Sequence, residues 1–265
     1  VNNDNFTSAL RVDKPYQANV ADKEIFKDKG HFRVLDMSSE GQSKPGRAAY
    51  FHNSLFGYHA AKLGHYNELM EFHVYKNNMN VLNMLNTKYI IVEEKGSIFP
   101  YTNLEANGNA WFVSNLKQLT SANEEIQILD SLDTKTTAVT TMTDFSSKPE
   151  MVKYLVDSTA SIQINDFKPN YLKYNSRNTN DGLAVFSEVY YKDGWNAYID
   201  GKLTPHSRVN YVLRALDIPK GNHTIEFKFE PEVVQTGSKV ALASSAIFGI
   251  LLLLGLFYTF KKKDE

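Results

Sequence analysis

The spacing of apolar side chains along this chain falls into three regimes. From residue 160 onward the period is two. SIQIND sets Ile162 and Ile164 on one face, YLKYN pairs Leu172 with Tyr174, and AVFSEVYY follows. WNAYI turns Trp195, Ala197 and Ile199 inward and Tyr198 outward, and Asp200-Gly201 supplies the positive φ values of a tight hairpin. NYVLRALDI is predicted as the next strand. PKGN then fits a type I turn, with Pro219 second and Gly221 fourth. HTIEFKFEP alternates Ile225, Phe227 and Phe229 with Thr224, Glu226, Lys228 and Glu230. Short strands joined by tight turns predict an antiparallel β-sandwich, jelly-roll or immunoglobulin-like in class.

Upstream the pattern is mixed. Residues 1 to 30 are polar and lack a sustained period, which predicts an irregular lead-in. HFRVLDM predicts a short buried strand, SSEGQSKPGR a turn-rich connection, and YHAAKLGHYNELMEF a helix with Ala61, His65, Leu69 and Phe72 on one side. NNMNVLNML predicts a second helix, capped by Asn77 or Asn78, with Val81, Leu82 and Leu85 inward; KYIIVEE is a β-branched run suited to a buried strand. This order predicts a small α/β lobe over 31–104. AWFV and TTAVTT read as further strands, with EEIQILDSL as a helix burying Ile126 and Leu129, and 105–235 becomes the sandwich domain. The whole is expected to be α+β.

The third regime is the end. Val240 to Phe260 carries no charge, long enough at 1.5 Å per residue to cross a hydrocarbon layer of about 30 Å. Residues 236–265 are therefore expected to hold a transmembrane helix over 240–260 and a basic tail. Lys261, Lys262 and Lys263 against a lone Lys239 place the C-terminus in the cytoplasm and residues 1–235 outside. VNNDNFTSALRVDKPYQ has no apolar leader, so the segment is expected to be the last part of a longer membrane protein whose earlier spans carry it across. Ala241, Ser245 and Gly249 recur every four residues, a surface on which another helix can pack.

Composition narrows the chemistry. A formal charge of -1 offers no field for a polyanion, which argues against nucleic acid, and zero cysteines remove disulfides, thiolate catalysis and cysteine-ligated metals. His52, His59, His65 and His73 lie seven, six and eight residues apart, a poor match to two imidazoles sharing an ion on one helix. There is no Gly-x-Ser-x-Gly elbow and no glycine-rich loop for a nucleotide; Glu93-Glu94 and Glu124-Glu125 read as exposed charges. No catalytic residue, metal or cofactor is expected. Two patches remain as substrate-binding candidates. Tyr58, His59 and Lys62 precede or open a helix where backbone N–H groups and a lysine could face a phosphate or sugar; the alternative is a core tyrosine beside solvated neighbours. Tyr198 and Asp200 share the outward face near Asn196, suiting sugar contact, although a hairpin turn alone would also demand Asp200.

YYKDGWNAYIDGK at 190–202, RALDIPKGNHTIEFKFEP at 214–231 and the apolar helix together resemble the C-terminal end of YfhO-type bacterial membrane proteins. PYQANVADKEIFKDKGHFRVLDM, RAAYFHNSLFGYHAAKLGHYNELM and VLNMLNTKYIIV extend the resemblance over about 15–262. That family is similar to the C-type glycosyltransferases, polytopic proteins that take sugars from polyprenyl-phosphate donors at the outer side of the membrane. The resemblance implies an extracytoplasmic domain that covers the active-site cleft and aids recognition of a glycan or lipid-linked substrate, while the catalytic carboxylate lies in an early loop absent here. Its partners would be membrane lipid and the remaining spans of the parent protein. A single-pass anchored carbohydrate-binding or structural module is the competing expectation.

Overall fold

The computed structural model describes residues 14–44, 46–57, 61–141, 150–156 and 158–261, with side chains as far as Phe257. The architecture is α+β: an α/β lobe, an antiparallel sandwich and one long C-terminal helix.

The lobe opens with α1 (Val20–Ile25), whose first turn is closed by a capping box between Asn19 and Asp22. Then come β1 (Arg33–Asp36), α2 (Ser39–Ser43), α3 (Gly46–Phe51), α4 (Gly64–Phe72), a 3-10 turn (Val74–Lys76), α5 (Met79–Met84), β2 (Thr87–Glu94) and β3 (Ser97–Thr102). β2 is the middle strand of its sheet, parallel to β1 and antiparallel to β3. Asn78 caps α5 by accepting from the backbone N–H groups of Asn80 and Val81, and the helix buries Val81, Leu82 and Met84.

Val20–Ile25, expected to be irregular, is the helix α1, because the Asn19–Asp22 capping box orders a polar sequence, and two further stretches of this lobe depart from the periodic reading. SSEGQSKPGR forms α2 and opens α3 rather than a plain turn. The Ser38 hydroxyl accepts from the Gly41 N–H at 3.1 Å and donates to the Asp36 carboxylate at 2.6 Å, so a polar sequence is capped into helix. α4 is the second. Its backbone becomes helical only at Gly64, because Leu63 is extended, and it turns Leu69 and Met70 inward while Ala61, His65 and Phe72 stay exposed.

β4 (Ala110–Val113) begins the sandwich, followed by β5 (Asn115–Gln118), α6 (Ala122–Ile128), β6 (Thr137–Thr140), β7 (Met151–Lys153), β8 (Ser161–Lys168), β9 (Tyr171–Asn178), β10 (Gly182–Val189), β11 (Trp195–Ile199), β12 (Lys202–Thr204), β13 (Ser207–Val209), β14 (Leu213–Ile218) and β15 (Gly221–Phe229). A four-stranded sheet ordered β13-β14-β10-β4 faces a five-stranded sheet ordered β12-β11-β15-β9-β8. Between them pack Tyr174, Phe186 and Phe227, edge to face, with Leu172, Leu216 and Ile225. The other face of the four-stranded sheet, through Leu183, Val185, Leu213 and Ala215, joins Leu35, Leu69, Leu82 and Leu116 in the larger core. The sheet is thus covered on both sides, which is why β10 reads as a nearly unbroken apolar run.

NYVLRALDI is not one strand. Asn210 and Tyr211 adopt positive φ, 49° and 71°, so the first three residues form the turn after β13 and the strand, β14, begins only at Leu213. The distortion is held from β6: the Asn210 side chain accepts from the Val139 N–H at 2.9 Å, and the Asn210 N–H donates to the Val139 carbonyl at 2.8 Å. Glu125, read as an exposed charge, is fully buried, where it accepts from the Tyr211 N–H at 2.8 Å and pairs with Arg208 at 3.1 Å.

Beyond β15 only Glu230 and Pro231 precede α7 (Glu232–Lys261), with Pro231 well suited to start a helix. The Glu232–Phe257 portion is long and apolar enough to cross a membrane, and its apolar window is wholly unburied.

Candidate functional site

An apolar cleft of about 810 Å³ lies where the lobe meets the end of β10. Asp36, the last residue of β1, and Met37 after it stand on one wall; Leu55, Phe56, Tyr66, Met70 and Val189 form much of the rest. Tyr66 is fixed by donating to the Leu55 carbonyl at 3.0 Å, and burial pushes its phenol above the ordinary value. Phe56 stacks on Tyr75 with ring centroids 5.6 Å apart. Lys62 and Gln42 are among the few polar side chains along this lining. Apolar walls with few polar groups suit an amphipathic ligand that brings one anionic group.

The carboxylate at the base of the cleft is already engaged. Asp36 accepts from Arg47 Nη1 at 3.2 Å and from Ser38, and Arg47, entirely buried, also pairs with Asp22 and with Glu40 Oε2 at 3.2 Å. Burial works against charge on Asp22, yet the hydrogen bonds of His52 and the Asn19 backbone, with Arg47 beside it, hold its pKa below the usual value. Gly41 packs so tightly here that an added Cβ would lie 2.3 Å from Asp36 Cγ. Asp36 therefore serves as the anchor of a buried ion cluster.

A second feature is the outer face of the five-stranded sheet. Tyr198 donates to Glu230 Oε2 at 2.7 Å, Asn196 donates to the same oxygen at 3.0 Å, and Lys228 Nζ lies 4.7 Å from the centre of the Tyr198 ring. Tyr171 donates to Glu226 Oε1 at 2.6 Å, a bond that raises the phenol to about 12. Two tyrosines are thereby presented with carboxylates and a lysine on an open sheet.

The third feature is a polar hollow of about 450 Å³ at the opposite end of that sheet, lined by Gln163, Asn175, Arg177 and Asp200 among others. Asp200, at φ 50° in its hairpin, accepts from the Thr224 N–H at 2.8 Å and pairs with His223 Nδ1 at 2.7 Å. The His223 bond, with that of Thr224, holds the Asp200 carboxyl below its usual value and raises the imidazole in return.

Of the residues singled out from sequence, Lys62 lines the apolar cleft, Tyr198 lies on the sheet face and Asp200 lines the polar hollow. The structure does not bring these three into one site. Tyr58 and His59 lie outside the described residues. His52 binds Asp22 and buried His73 binds the Ile126 carbonyl at 2.7 Å, while exposed His65 packs on Tyr211, so these three histidines serve separate places. Tyr171, Glu226 and Glu230 join the sheet face only through register: Tyr171 stands opposite Lys228, and Tyr198 opposite Glu226. The outward positions of Glu226, Lys228 and Glu230 were legible in the alternation, but their neighbours on adjacent strands were not.

Residues 102–241, more than half of the 265, match a family model described as bacterial membrane protein YfhO. The matched stretch runs from the end of β3 through the sandwich into α7. No curated protein and no solved structure matches the chain.

Proposed function

Because this chain belongs to the YfhO family of bacterial membrane proteins, we propose that residues 1 to about 235 form the extracytoplasmic C-terminal domain of a polytopic, glycosyltransferase-like membrane protein. The domain covers the outer active-site cleft of its parent and helps hold a glycan or lipid-linked substrate; it is not the source of the catalytic carboxylate. The observation that carries this reading is the apolar cleft with Lys62 on its lining, in a body joined directly to a membrane-length helix. A polyprenyl-phosphate sugar has both parts such a cleft would take, an apolar tail and an anionic head.

The test is transfer of glycan by the full-length protein in membrane vesicles. Met70→Trp should fill the cleft and Lys62→Ala should remove its cation, each lowering the rate at normal abundance; unchanged rates for both would overturn the role of the cleft. A second reading, an anchored carbohydrate-binding module, is supported by Tyr171 and Tyr198 on the open sheet face. That reading predicts glycan affinity lost in Tyr198→Ala, with transfer unaffected.

A further inference from the structure

The junction between β15 and α7 fixes which end of the sandwich faces the bilayer. Strand pairing sets Lys228 opposite Tyr171 and Phe229 opposite Trp195, so β9 and β11 both begin at the end where β15 finishes. Two turns flank the exit. The Phe229 N–H donates to the Asn170 carbonyl at 3.0 Å, in the β8–β9 turn, and the Glu230 N–H donates to the Gly194 carbonyl at 2.6 Å, in the β10–β11 connection. Pro231 follows, and its carbonyl already accepts from the Val234 N–H at 3.1 Å in the first turn of α7. No flexible segment separates sheet from helix.

The distance to lipid follows from the sequence. Glu232 to Lys239 precede the uncharged run, and eight helical residues rise about 12 Å. The polar headgroup layer occupies about 5 to 7 Å on each side of the hydrocarbon. The two turns therefore stand within a lysine's reach of the headgroups if the helix is upright, and closer if it tilts.

Their side chains have interfacial chemistry. Phe167 is 43% exposed and Tyr191 37% exposed, both large apolar groups at the surface; Lys168 and Lys192 are exposed beside them. Phe167 is backed by His31, whose ring stacks on it at 3.7 Å, and Lys168 also pairs with Asp166 at 3.2 Å. Aromatic rings next to lysines are the pairing that settles at a membrane–water boundary, rings at the headgroup level and ammonium groups toward phosphate.

We propose that this rim, formed by the β8–β9 turn and the β10–β11 connection, is a lipid-contacting surface that rests on the headgroup layer around the exit of α7. The occupant is the bilayer surface itself. The proposal rests on α7 crossing the membrane and holds for either orientation of the span.

The chain has no cysteine, so single labels can be placed at will. Tyr191→Cys and Lys192→Cys mark the rim; Asp181→Cys and Lys220→Cys mark turns at the opposite end; Leu251→Cys marks the middle of the span. Each variant carries a bimane fluorophore and is reconstituted in phosphatidylcholine–phosphatidylglycerol vesicles with lipids bearing a shallow or a deep nitroxide quencher. Labels at 191 and 192 should lose most of their fluorescence to the shallow quencher, those at 181 and 220 should keep it, and 251 should respond to the deep one. Quenching at 251 with none at 191 and 192 would overturn the rim contact alone, as would equal quenching at both ends of the sandwich. An unquenched 251 would remove the premise and the proposal with it.

Discussion

Arg47 is the residue on which the lobe's polar interior depends. It is fully buried with Asp22 and pairs with Asp36, so Arg47→Met would leave two carboxylates without their cation in an interior that cannot solvate them. Loss of one partner from such a cluster costs about 3–5 kcal/mol, and denaturant titration should show a shift of that order. His206 sets an acid limit by the opposite logic. Burial, with Arg214 adding to it, lowers its pKa to about 4 from 6.5. Between these values the unfolded chain takes up a proton that the folded chain refuses, so stability should fall as pH drops from 6.5 toward 4. Glu188 extends the slope. Burial alone would raise its carboxyl, but Arg33, His31 and Arg214 outweigh it and bring it to about 2 from 4.5, so the stability it gives is lost as pH falls below 4.5. Unfolding midpoints measured from pH 7 to 4 should decline, and His206→Phe should flatten the upper part of that decline.

Single elements show where a one-dimensional pattern suffices. The strands of the five-stranded sheet and the Asp200-Gly201 turn follow their alternation, because each half-buried strand presents one face to the aromatic core and the other to water. The failures share one cause, a polar contact that overrides apolar spacing, distant in sequence at Asn210 and local at Ser38. Asn210 kinks NYVLRALDI because its partner is Val139, and α2 forms in a turn-like sequence because Ser38 and Asp36 serve each other. Glu125, read as an exposed charge, is buried, and so are Arg47 and Arg214, which apolar spacing gives no reason to place inside. The same blindness divided one of the two candidate patches, since Tyr198 and Asp200 shared a strand face in sequence and the fold places them at opposite ends of the sheet, while Lys62 lines the separate cleft. At α5 the local signal was sufficient: Asn78 caps the helix and also donates to Asp130 at 3.0 Å. Asn78→Ala should cost about 1–2 kcal/mol, read as a lowered unfolding midpoint with an unchanged denaturant slope.

At the scale of the molecule, the lobe and the sandwich share one core, in which Leu35 and Leu82 pack in the same cluster as Val185 and Leu213. Calorimetry of the chain cut before Glu232 should therefore show a single unfolding transition rather than two. Because the apolar window of α7 is wholly unburied by the body, that truncation should leave the midpoint unchanged. The orientation proposed for the span makes a separate expectation. In intact cells a membrane-impermeant maleimide should label Asn222→Cys, and should reach Lys263→Cys only after the membrane is opened; the reverse pattern would invert the topology.

The lack of slack at Pro231 also has a mechanical meaning. A span joined to a sheet through a single proline, with both flanking turns hydrogen-bonded to the last strand, has no swivel. Any rocking of the helix would then be transmitted as torque, and the whole sandwich would lean with it, so that a small change of angle inside the bilayer becomes a long sweep at the far tip.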